Sequence, residues 1–286
     1  MRERKRIYGR CCGKILRYIL VTMFAMIMIY PLIWLFFASF KVSYEVYDST
    51  HLFPQNGWHF ENFINGWKSV EPYSYFKFYI NTFILVGGVV LGNLFSASLV
   101  GYGFARGRFK GRRVLFAILL GTMMLPNTVT MIPNYIIFTT LGWNNTYLPF
   151  IVPAFLGGTA FFIFLMVQFI RGIPGELDEA AKMDGCNSFQ IYMRVIMPIC
   201  VPTLITVAIF SFLWTWDNFM GQLIYISEMS KFTVPLALKL MIDPLSGIDW
   251  GAVLAMCLIS IIPSLIVYFV AQDHFSEGIT TTGLKG

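Results

Sequence analysis

Three carboxylates stand close together in the stretch GELDEAAKMDGCNSFQIYMRVIMPICVP, residues 175 to 202: Glu176, Asp178 and Glu179. Carboxylates can act as general acids and bases, so the stretch raises the question of an enzyme. Catalysis there would also need a histidine, a metal cluster or a nucleophile, and the surrounding sequence offers none. Pro174 instead fits the first turn of a helix, where the positive end of the helix dipole favours acidic side chains. We therefore interpret the acids as the capped start of a helix.

Other catalytic and cofactor motifs are absent from the sequence. The phosphate-binding pattern G-x-x-x-x-G-K-[ST] does not occur, because the one Gly-Lys pair is followed by Ile15. The three histidines, His51, His59 and His274, lack the spacing of metal ligands. Neither a G-x-S-x-G elbow nor an H-E-x-x-H motif is found. We expect no catalytic residue, no metal and no cofactor, and no binding of ATP by this chain itself.

The acidic stretch also has a surface suited to docking. Leu177, Ala180, Ala181 and Asp184 follow the 3 to 4 residue spacing of one helix face, and most of these side chains are small. Gly185 then permits a turn that other residues resist. Such a face, flanked by charge and stopped by glycine, predicts insertion into a groove of another protein.

The composition places the chain in a membrane. Of its 286 residues 57% are apolar and only 13% are charged, whereas a soluble domain has about 25% charged residues. Crossing about 30 Å of hydrocarbon takes about 20 apolar helical residues. Six such runs predict an all-α, polytopic membrane protein: about 15–37, 78–104, 114–138, 147–170, 195–216 and 252–271. The first run is too long for a secretory signal and has no cleavage site.

Basic residues predict the orientation, because short loops rich in Lys and Arg stay in the cytoplasm. Most of the 21 basic residues fall in the N-terminus, in loop 105–113 and in segment 171–194. We expect a basic cytoplasmic N-terminus (1–14), one transmembrane domain (15–271) and a cytoplasmic tail (272–286). The net charge of +6 then reflects topology and contact with anionic membrane lipid, so a nucleic acid partner is not needed.

Polar residues in and beside the spans are candidates for lining a translocation path. Asn81, Asn93, Ser98 and Asn127 lie within the predicted spans, and Trp216, Asp217 and Asn218 lie at the outer end of the fifth. Two alternatives remain open. Asp217 and the tryptophan fit an ordinary membrane interface, and the small residues that surround Asn93 fit close helix packing.

The segment EAAKMDGCNSFQIYMRVIMPICVP resembles the EAA motif of binding-protein-dependent ABC importer permeases. The matching residues, in register, are Glu179, Ala180, Ala181, Asp184, Gly185, Phe189, Ile196, Pro198 and Pro202. Departures from the pattern are mild: Cys186 stands in place of Ala, Tyr192 in place of Phe and Met197 in place of Leu.

The resemblance covers nearly the whole chain from about residue 15. NTFILVGGVVLGNLFSASLVGYGFARGRFKGRR is similar to the second span and following loop of the carbohydrate-uptake, maltose-type permeases, and LGWNNTYLPFIVP and FIRGIPGELDEAA also look like family segments. The tail GITTTGLKG is similar to that of the maltose-G-like member of the permease pair.

Several properties are implied by this resemblance. The fold would be that of a type I ABC importer permease, in a bacterial cell membrane, with a coupling helix at about 176–190. Glu179 would anchor that helix on a separate ATPase, Ala180 and Ala181 would form the close-packed surface, and Gly185 the turn. The tail would be a second ATPase contact through Gly278, Thr280, Gly283, Lys285 and Gly286. The implied partners are a second homologous permease, an ATPase dimer that binds ATP, an extracellular solute-binding protein and a carbohydrate solute.

One competing hypothesis is a self-sufficient secondary transporter or channel for a small polar solute. Ion-coupled transport usually needs a charge buried within the spans, and their interiors are almost free of charged residues. The solute stays open at this point, since oligosaccharides, monosaccharides and glycerol-phosphate-type compounds all fit.

Overall fold

The computed structural model describes residues 2–47, 51–243 and 247–283. Every regular element in these ranges is helical, which confirms the all-α prediction for the described part of the chain. In chain order the α-helices are α1 (Arg2–Ala38), α2 (Ser43–Tyr47), α3 (Glu61–Lys68), α4 (Tyr75–Arg106), α5 (Arg112–Met123), α6 (Asn127–Thr140), α7 (Leu148–Phe155), α8 (Ala160–Gly172), α9 (Glu176–Met183), α10 (Ser188–Ile191), α11 (Met197–Ile199), α12 (Val201–Trp216), α13 (Phe219–Tyr225), α14 (Val234–Met241) and α15 (Trp250–Gly283). A π-helical turn (Tyr192–Ile196) joins α10 to α11, and a 3-10 turn (Met229–Lys231) precedes α14.

Four helical stretches are long and apolar enough to cross a membrane: Leu16–Ala38, Tyr75–Arg106, Leu148–Gly172 and Trp250–Gln272. Two further pairs qualify only together. They are α5 with α6, bent by 106°, and Ser188–Ile199 with α12, bent by 77°. The count reaches six if each bent pair is one span, and these stretches overlap the six runs predicted from hydropathy.

Prolines explain part of the bending. Pro126 has an extended backbone (ψ 136°) directly before α6, and its ring and missing N–H prevent α5 from continuing. Pro202 stands in the first turn of α12, where its lack of an N–H costs nothing. Pro133 and Pro263, which also fall in predicted spans, lie inside the continuous helices α6 and α15. Pro126 and Pro202 therefore stand at the two bent junctions, whereas Pro133 and Pro263 interrupt no helix.

The chain forms two compact units, Met1–Ser74 with Leu240–Ser260 and Tyr75–Lys239 with Ile261–Gly286. In the first unit the buried Asn62 amide donates to the carbonyls of Ser39 (3.0 Å) and Lys41 (2.9 Å), which fixes the chain after α1 against α3. Gly251, at the start of α15, leaves space for Asn62, since an added Cβ would lie 2.6 Å from its amide nitrogen.

The second unit is built around α4, which packs against α7, α8 and α12. Its core contains Phe162, Met166 and Ile170 from α8, all almost fully buried. A Cβ on Gly101 would lie 2.6 Å from the Met166 Cβ, and one on Gly92 would lie 2.9 Å from the Ala154 Cβ. The small residues of α4 therefore serve close helix packing.

We predict that Gly101→Ala destabilises the protein, because neither the α4 backbone nor Met166 Cβ can move independently. Overpacking of this kind costs about 1–3 kcal/mol. The matched control is Gly87→Ala on the same helix, where an added Cβ meets nothing within 4 Å. The measurement is the midpoint temperature of thermal unfolding of the detergent-purified protein. Unfolding is detected as the buried Cys200 becomes accessible to a thiol-reactive dye. Equal midpoints for the two variants would contradict the packing argument.

Candidate functional site

A cavity of about 640 Å³ opens in the second unit, with α4, the start of α6, α7, α8 and α12 in its wall. Its polar lining comprises Asn93, Asn127, Thr159, Ser211, Thr215, Asp217 and Asn218. The sequence singled out four of these: Asn93, Asn127, Asp217 and Asn218. It missed Thr159, Ser211 and Thr215, because hydroxyl residues are common in apolar helices and nothing in their spacing distinguishes them.

Asn93 holds three elements of the cavity wall together. Its side-chain amide donates to the Ser211 hydroxyl of α12 (2.8 Å), and its carbonyl oxygen accepts from the Thr159 backbone N–H at the start of α8 (3.3 Å). The residue is 3% exposed. Asn93 therefore shapes the wall and offers little of its own surface to a solute.

The break between α7 and α8 depends on glycine. Gly158 has a φ of +48°, a conformation that costs glycine little and other residues more. A Cβ there would also lie 2.6 Å from the Asn93 Oδ1 and 2.8 Å from the Ser96 hydroxyl, which itself donates to the Ala154 carbonyl at 2.7 Å. The Gly157-Gly158 pair inside an apolar run is a sequence feature from which this break could have been predicted, although the sequence-based predictions did not include it.

Asn81 lies outside the lining of this cavity. Its amide donates to the carbonyls of Ser230 (2.9 Å) and Phe232 (2.8 Å) and so fixes the loop before α14. Asn145 holds the same loop from another side, accepting from the Glu228 N–H (3.0 Å) and donating to the Glu228 carboxylate (3.0 Å). Hydrogen bonds from Ser230, Lys231 and Asn145 lower the pKa of Glu228 to about 2.

Ser98 and Trp216 also lie outside the cavity lining. The Ser98 hydroxyl is 2.8 Å from the Tyr192 hydroxyl in a buried pair between α4 and the π-helical turn. Trp216 is 3% exposed and its ring packs on Phe83 and Phe212. Both positions were predicted from residue type, which does not tell which face of a helix meets the cavity.

Asp217 and Trp214 give the cavity its chemical character. Asp217 ends α12, and partial burial raises the pKa of its carboxyl. Trp214 is 49% exposed, with its ring stacked on Phe162 at a centroid distance of 5.2 Å. Asn218 caps α13 by accepting from the Gly221 N–H at 3.0 Å. A carboxylate, amides and an aromatic face together can hydrogen-bond and stack on a polar, ring-shaped solute.

The acidic segment, defined as α9 and α10 (residues 176–191), has a well-defined inner and outer face. Asp178 and Ala181 are buried at 8% exposure each, whereas Glu179, Ala180 and Met183 are exposed. Of the two residues to which the resemblance assigns a close-packed surface on an ATPase, Ala180 is exposed and Ala181 is buried within this chain. Consecutive helix residues point about 100° apart, so only Ala180 is available to a partner.

Gly185 ends α9 in a complete Schellman motif. With φ +82°, Gly185 donates to the Lys182 carbonyl (3.0 Å), and the Cys186 N–H donates to the Ala181 carbonyl (2.9 Å). The next helix begins at once with a capping box, in which the Asn187 and Gln190 side chains each accept from the other residue's backbone N–H. The short acidic segment is thus fixed at its central turn.

Three large apolar side chains of the acidic segment are exposed: Leu177 at 42% and, more fully, the pair Met183 at 89% and Phe189 at 65%. Both stand beside exposed polar groups, including Glu179 and Asp184. A small, mixed apolar and charged surface of this kind is typical of a contact with another protein.

The acidic segment is tied to the end of α4 by two residues. Arg106 Nε lies 2.9 Å from Asp178 Oδ2, and Arg106 Nη2 donates to the Ile173 carbonyl at 2.7 Å. The Nε contact is an ion pair without hydrogen-bond alignment, since this N–H has no acceptor in line. The Tyr102 hydroxyl, one turn earlier, donates to the Ser188 carbonyl at 3.2 Å. These contacts join the acidic segment directly to α4.

The predicted tail contact falls at the end of the chain. Gly278, Thr280 and Gly283 belong to the last turns of α15, whereas Lys285 and Gly286 lie outside the described residues.

A bundle of bent apolar helices around a polar cavity, with a charged helical segment linked to it, defines a multi-pass membrane transport protein. Residues 97–280 match the family described as binding-protein-dependent transport system inner membrane component. The chain belongs to this family, and the recognition made from the EAA motif is confirmed.

The relatives agree with this assignment. The chain is 33% identical to the probable ABC transporter permease protein YurM of Bacillus subtilis, over 90% of this chain and 84% of that protein. It is 34% identical to the arabinooligosaccharides transport system permease protein AraQ of Halalkalibacterium halodurans, over 92% and 93%. A crystal structure of a bacterial ABC transporter involved in the import of the acidic polysaccharide alginate is 26% identical, with a TM-score of 0.80 over 94% of this chain and 97% of that one. The type I permease fold is therefore confirmed.

We predict that Asp178→Asn loosens the acidic segment. The side chains of Arg106 and Asp178 are 17% and 12% exposed, so removing one charge leaves the other largely buried and uncompensated. The cost should be about 3 kcal/mol, measured as faster amide hydrogen exchange in residues 176–183. The control is Glu179→Gln, which makes the same chemical change on the exposed face. The double variant Arg106→Gln/Asp178→Asn should be less damaging than the sum of the single changes, and simple additivity would contradict the coupling.

Proposed function

We propose that this chain is the membrane subunit of an ATP-driven importer that moves a saccharide into the cytoplasm. The observation that carries the proposal is the acidic segment: its outer face is exposed and its inner face is anchored to α4, which also lines the polar cavity. A surface of this kind can transmit movement from a partner to the cavity. The chain itself performs no hydrolysis in this scheme, and ATP is bound by a separate subunit.

The proposed partners follow from the assignment of ATP binding and hydrolysis to a separate subunit. An ATPase dimer docks on the acidic segment, a second homologous permease completes the transmembrane path, and an extracellular binding protein delivers the solute. Membership of a binding-protein-dependent family supports the last of these.

The exposed surface on the acidic segment supports docking through five residues: Glu179, Ala180, Met183, Asp184 and Phe189. Glu179 provides the charged contact, and Met183 and Phe189 provide apolar area worth about 25 cal/mol per Å² buried. Ala181 supports this surface from inside. The tail residues Gly278, Thr280, Gly283, Lys285 and Gly286 are proposed as a second ATPase contact.

The proposed mechanism is alternating access. When the ATPase dimer closes, it moves the acidic segment, and the contacts of Tyr102 and Arg106 pass the movement to α4. The two states of the cavity then bind the ATPase dimer with different free energies, which is the requirement for coupling. Orientation follows the basic loops: the acidic segment and both termini face the cytoplasm of a bacterial cell.

A saccharide is the proposed solute class. The relatives named above include an arabinooligosaccharide permease and a transporter of alginate. Trp214 presents a half-exposed ring in the cavity beside Asn127 and Asn218, which suits stacking on a sugar ring and hydrogen bonding to its hydroxyls.

The docking proposal is tested by co-purification. We predict that Glu179→Arg and Gly185→Val each lower ATPase recovery with the permease pair at least tenfold, whereas the two permeases stay associated. Glu179→Arg reverses the charge of the contact, and Gly185→Val strains a backbone with φ +82°.

Two matched controls accompany these variants. Gly185→Asn should retain the ATPase, because asparagine tolerates the left-handed conformation. Glu61→Arg reverses an exposed charge in the first unit and should have no effect. Full ATPase recovery with Gly185→Val and Glu179→Arg would place the docking surface elsewhere.

A further inference from the structure

Asp217 stands at the junction of α12 and α13. The residue ends α12, and its N–H donates to the Leu213 carbonyl at 3.1 Å. The negative end of the α12 dipole repels a carboxylate there, and the positive end of the short α13, which begins at Phe219, offsets part of that repulsion. An amide like that of the neighbouring Asn218 would supply a polar group at this position without a charge.

No cation offsets this charge within the described part of the protein. The side chain of Asp217 has no ion pair among the described residues. The residues that line the cavity there are amides, hydroxyls, aromatics and one valine, and Asp217 is the single charged group among them. The carboxylate therefore faces a 640 Å³ space with its acceptors available to whatever enters.

We propose that Asp217 makes the cavity selective for uncharged saccharides and rejects saccharides that carry carboxylates. This inference rests on the proposed function and names the ligand class for the same cavity. Hydroxyl groups of a neutral sugar donate to the Asp217 carboxylate and satisfy it, while the ring stacks on Trp214. A uronic acid brings a second negative charge to a site with no cation and is repelled.

The expected size of the effect follows from Coulomb's law. A unit charge about 8 Å away, at an effective dielectric constant of about 20, changes a rate more than tenfold before salt screening. Screening at physiological ionic strength reduces this to about threefold to tenfold.

The first experiment measures the charge selectivity of the cavity without any binding protein. The complete permease and ATPase complex is placed in nanodiscs, with the five native cysteines of this chain replaced and one reporter, Asn127→Cys, added. Methanethiosulfonate reagents of opposite charge, bearing trimethylammonium or sulfonate, then modify the reporter. We expect the cationic reagent to react faster, and Asp217→Asn to lower the cation-to-anion rate ratio about threefold to tenfold.

Two controls test whether the effect on the rate ratio is specific to Asp217 and to the cavity. Thr140→Cys, an exposed position at the other end of α6, should show no change in the ratio with Asp217→Asn. Asp243→Asn removes a carboxylate beyond the end of α14, outside the cavity lining, and should leave the Asn127→Cys ratio unchanged. A ratio at Asn127→Cys that Asp217→Asn does not move would overturn the proposal.

The second experiment tests the ligand class on the same reporter. A neutral oligosaccharide should slow modification of Asn127→Cys by an uncharged methanethiosulfonate, and its uronic acid counterpart should not, until Asp217→Asn is introduced. Equal protection by both sugars in the unsubstituted cavity would overturn the inference and leave the proposed function standing. ATP-dependent uptake of the neutral oligosaccharide by the complete importer checks that function separately. Absence of any saccharide uptake would overturn the proposed function and the ligand class with it.

Discussion

In a bilayer every backbone N–H and C=O must find a partner inside the protein, because hydrocarbon offers none. The breaks between α7 and α8 and between α5 and α6 interrupt helices that would otherwise satisfy this requirement alone. Between α7 and α8 the Thr159 N–H bonds to Asn93 and the Ala154 carbonyl accepts from Ser96. These side chains give hydrogen-bond partners to irregular backbone inside an apolar stretch of the chain. The polar cavity can exist because its wall is held in this way.

The cavity and the acidic segment are connected by the same helix. Asn93 and Arg106 are 13 positions apart on α4, which corresponds to about 20 Å at 1.5 Å per residue. The α12 helix provides a second connection, since Ser211 and Thr215 line the cavity and the chain before Val201 runs through the π-helical turn into α10. Neither connection contains a long loop, which is the arrangement that the proposed transmission of movement requires.

Much of this arrangement could be predicted from the sequence, and the remainder has identifiable causes. Hydropathy located the apolar stretches, and the EAA motif located the acidic segment and the family. Hydropathy does not tell which face of a helix turns inward, so it could not separate Ser98 and Trp216, which lie outside the cavity lining, from the residues that line it. The burial of Ala181 depends on contacts from distant parts of the chain, which the local 3 to 4 residue pattern does not contain. The role of Arg106 depends on Asp178, 72 positions later, and neither residue alone predicts the pair.

The tie between α4 and the acidic segment has a thermodynamic consequence in both directions. If ATPase docking changes the affinity of the cavity for its solute, then the solute must change the affinity of the acidic segment for the ATPase by the same factor. The contacts of Tyr102 and Arg106 would therefore carry the effect of solute binding from the cavity to the acidic segment, as well as the effect of ATPase docking from the acidic segment to the cavity. Under the proposed function, a permease with an occupied cavity and one with an empty cavity would then bind the ATPase with different affinities, and the arrival of cargo would itself be a signal to the subunit that hydrolyses ATP.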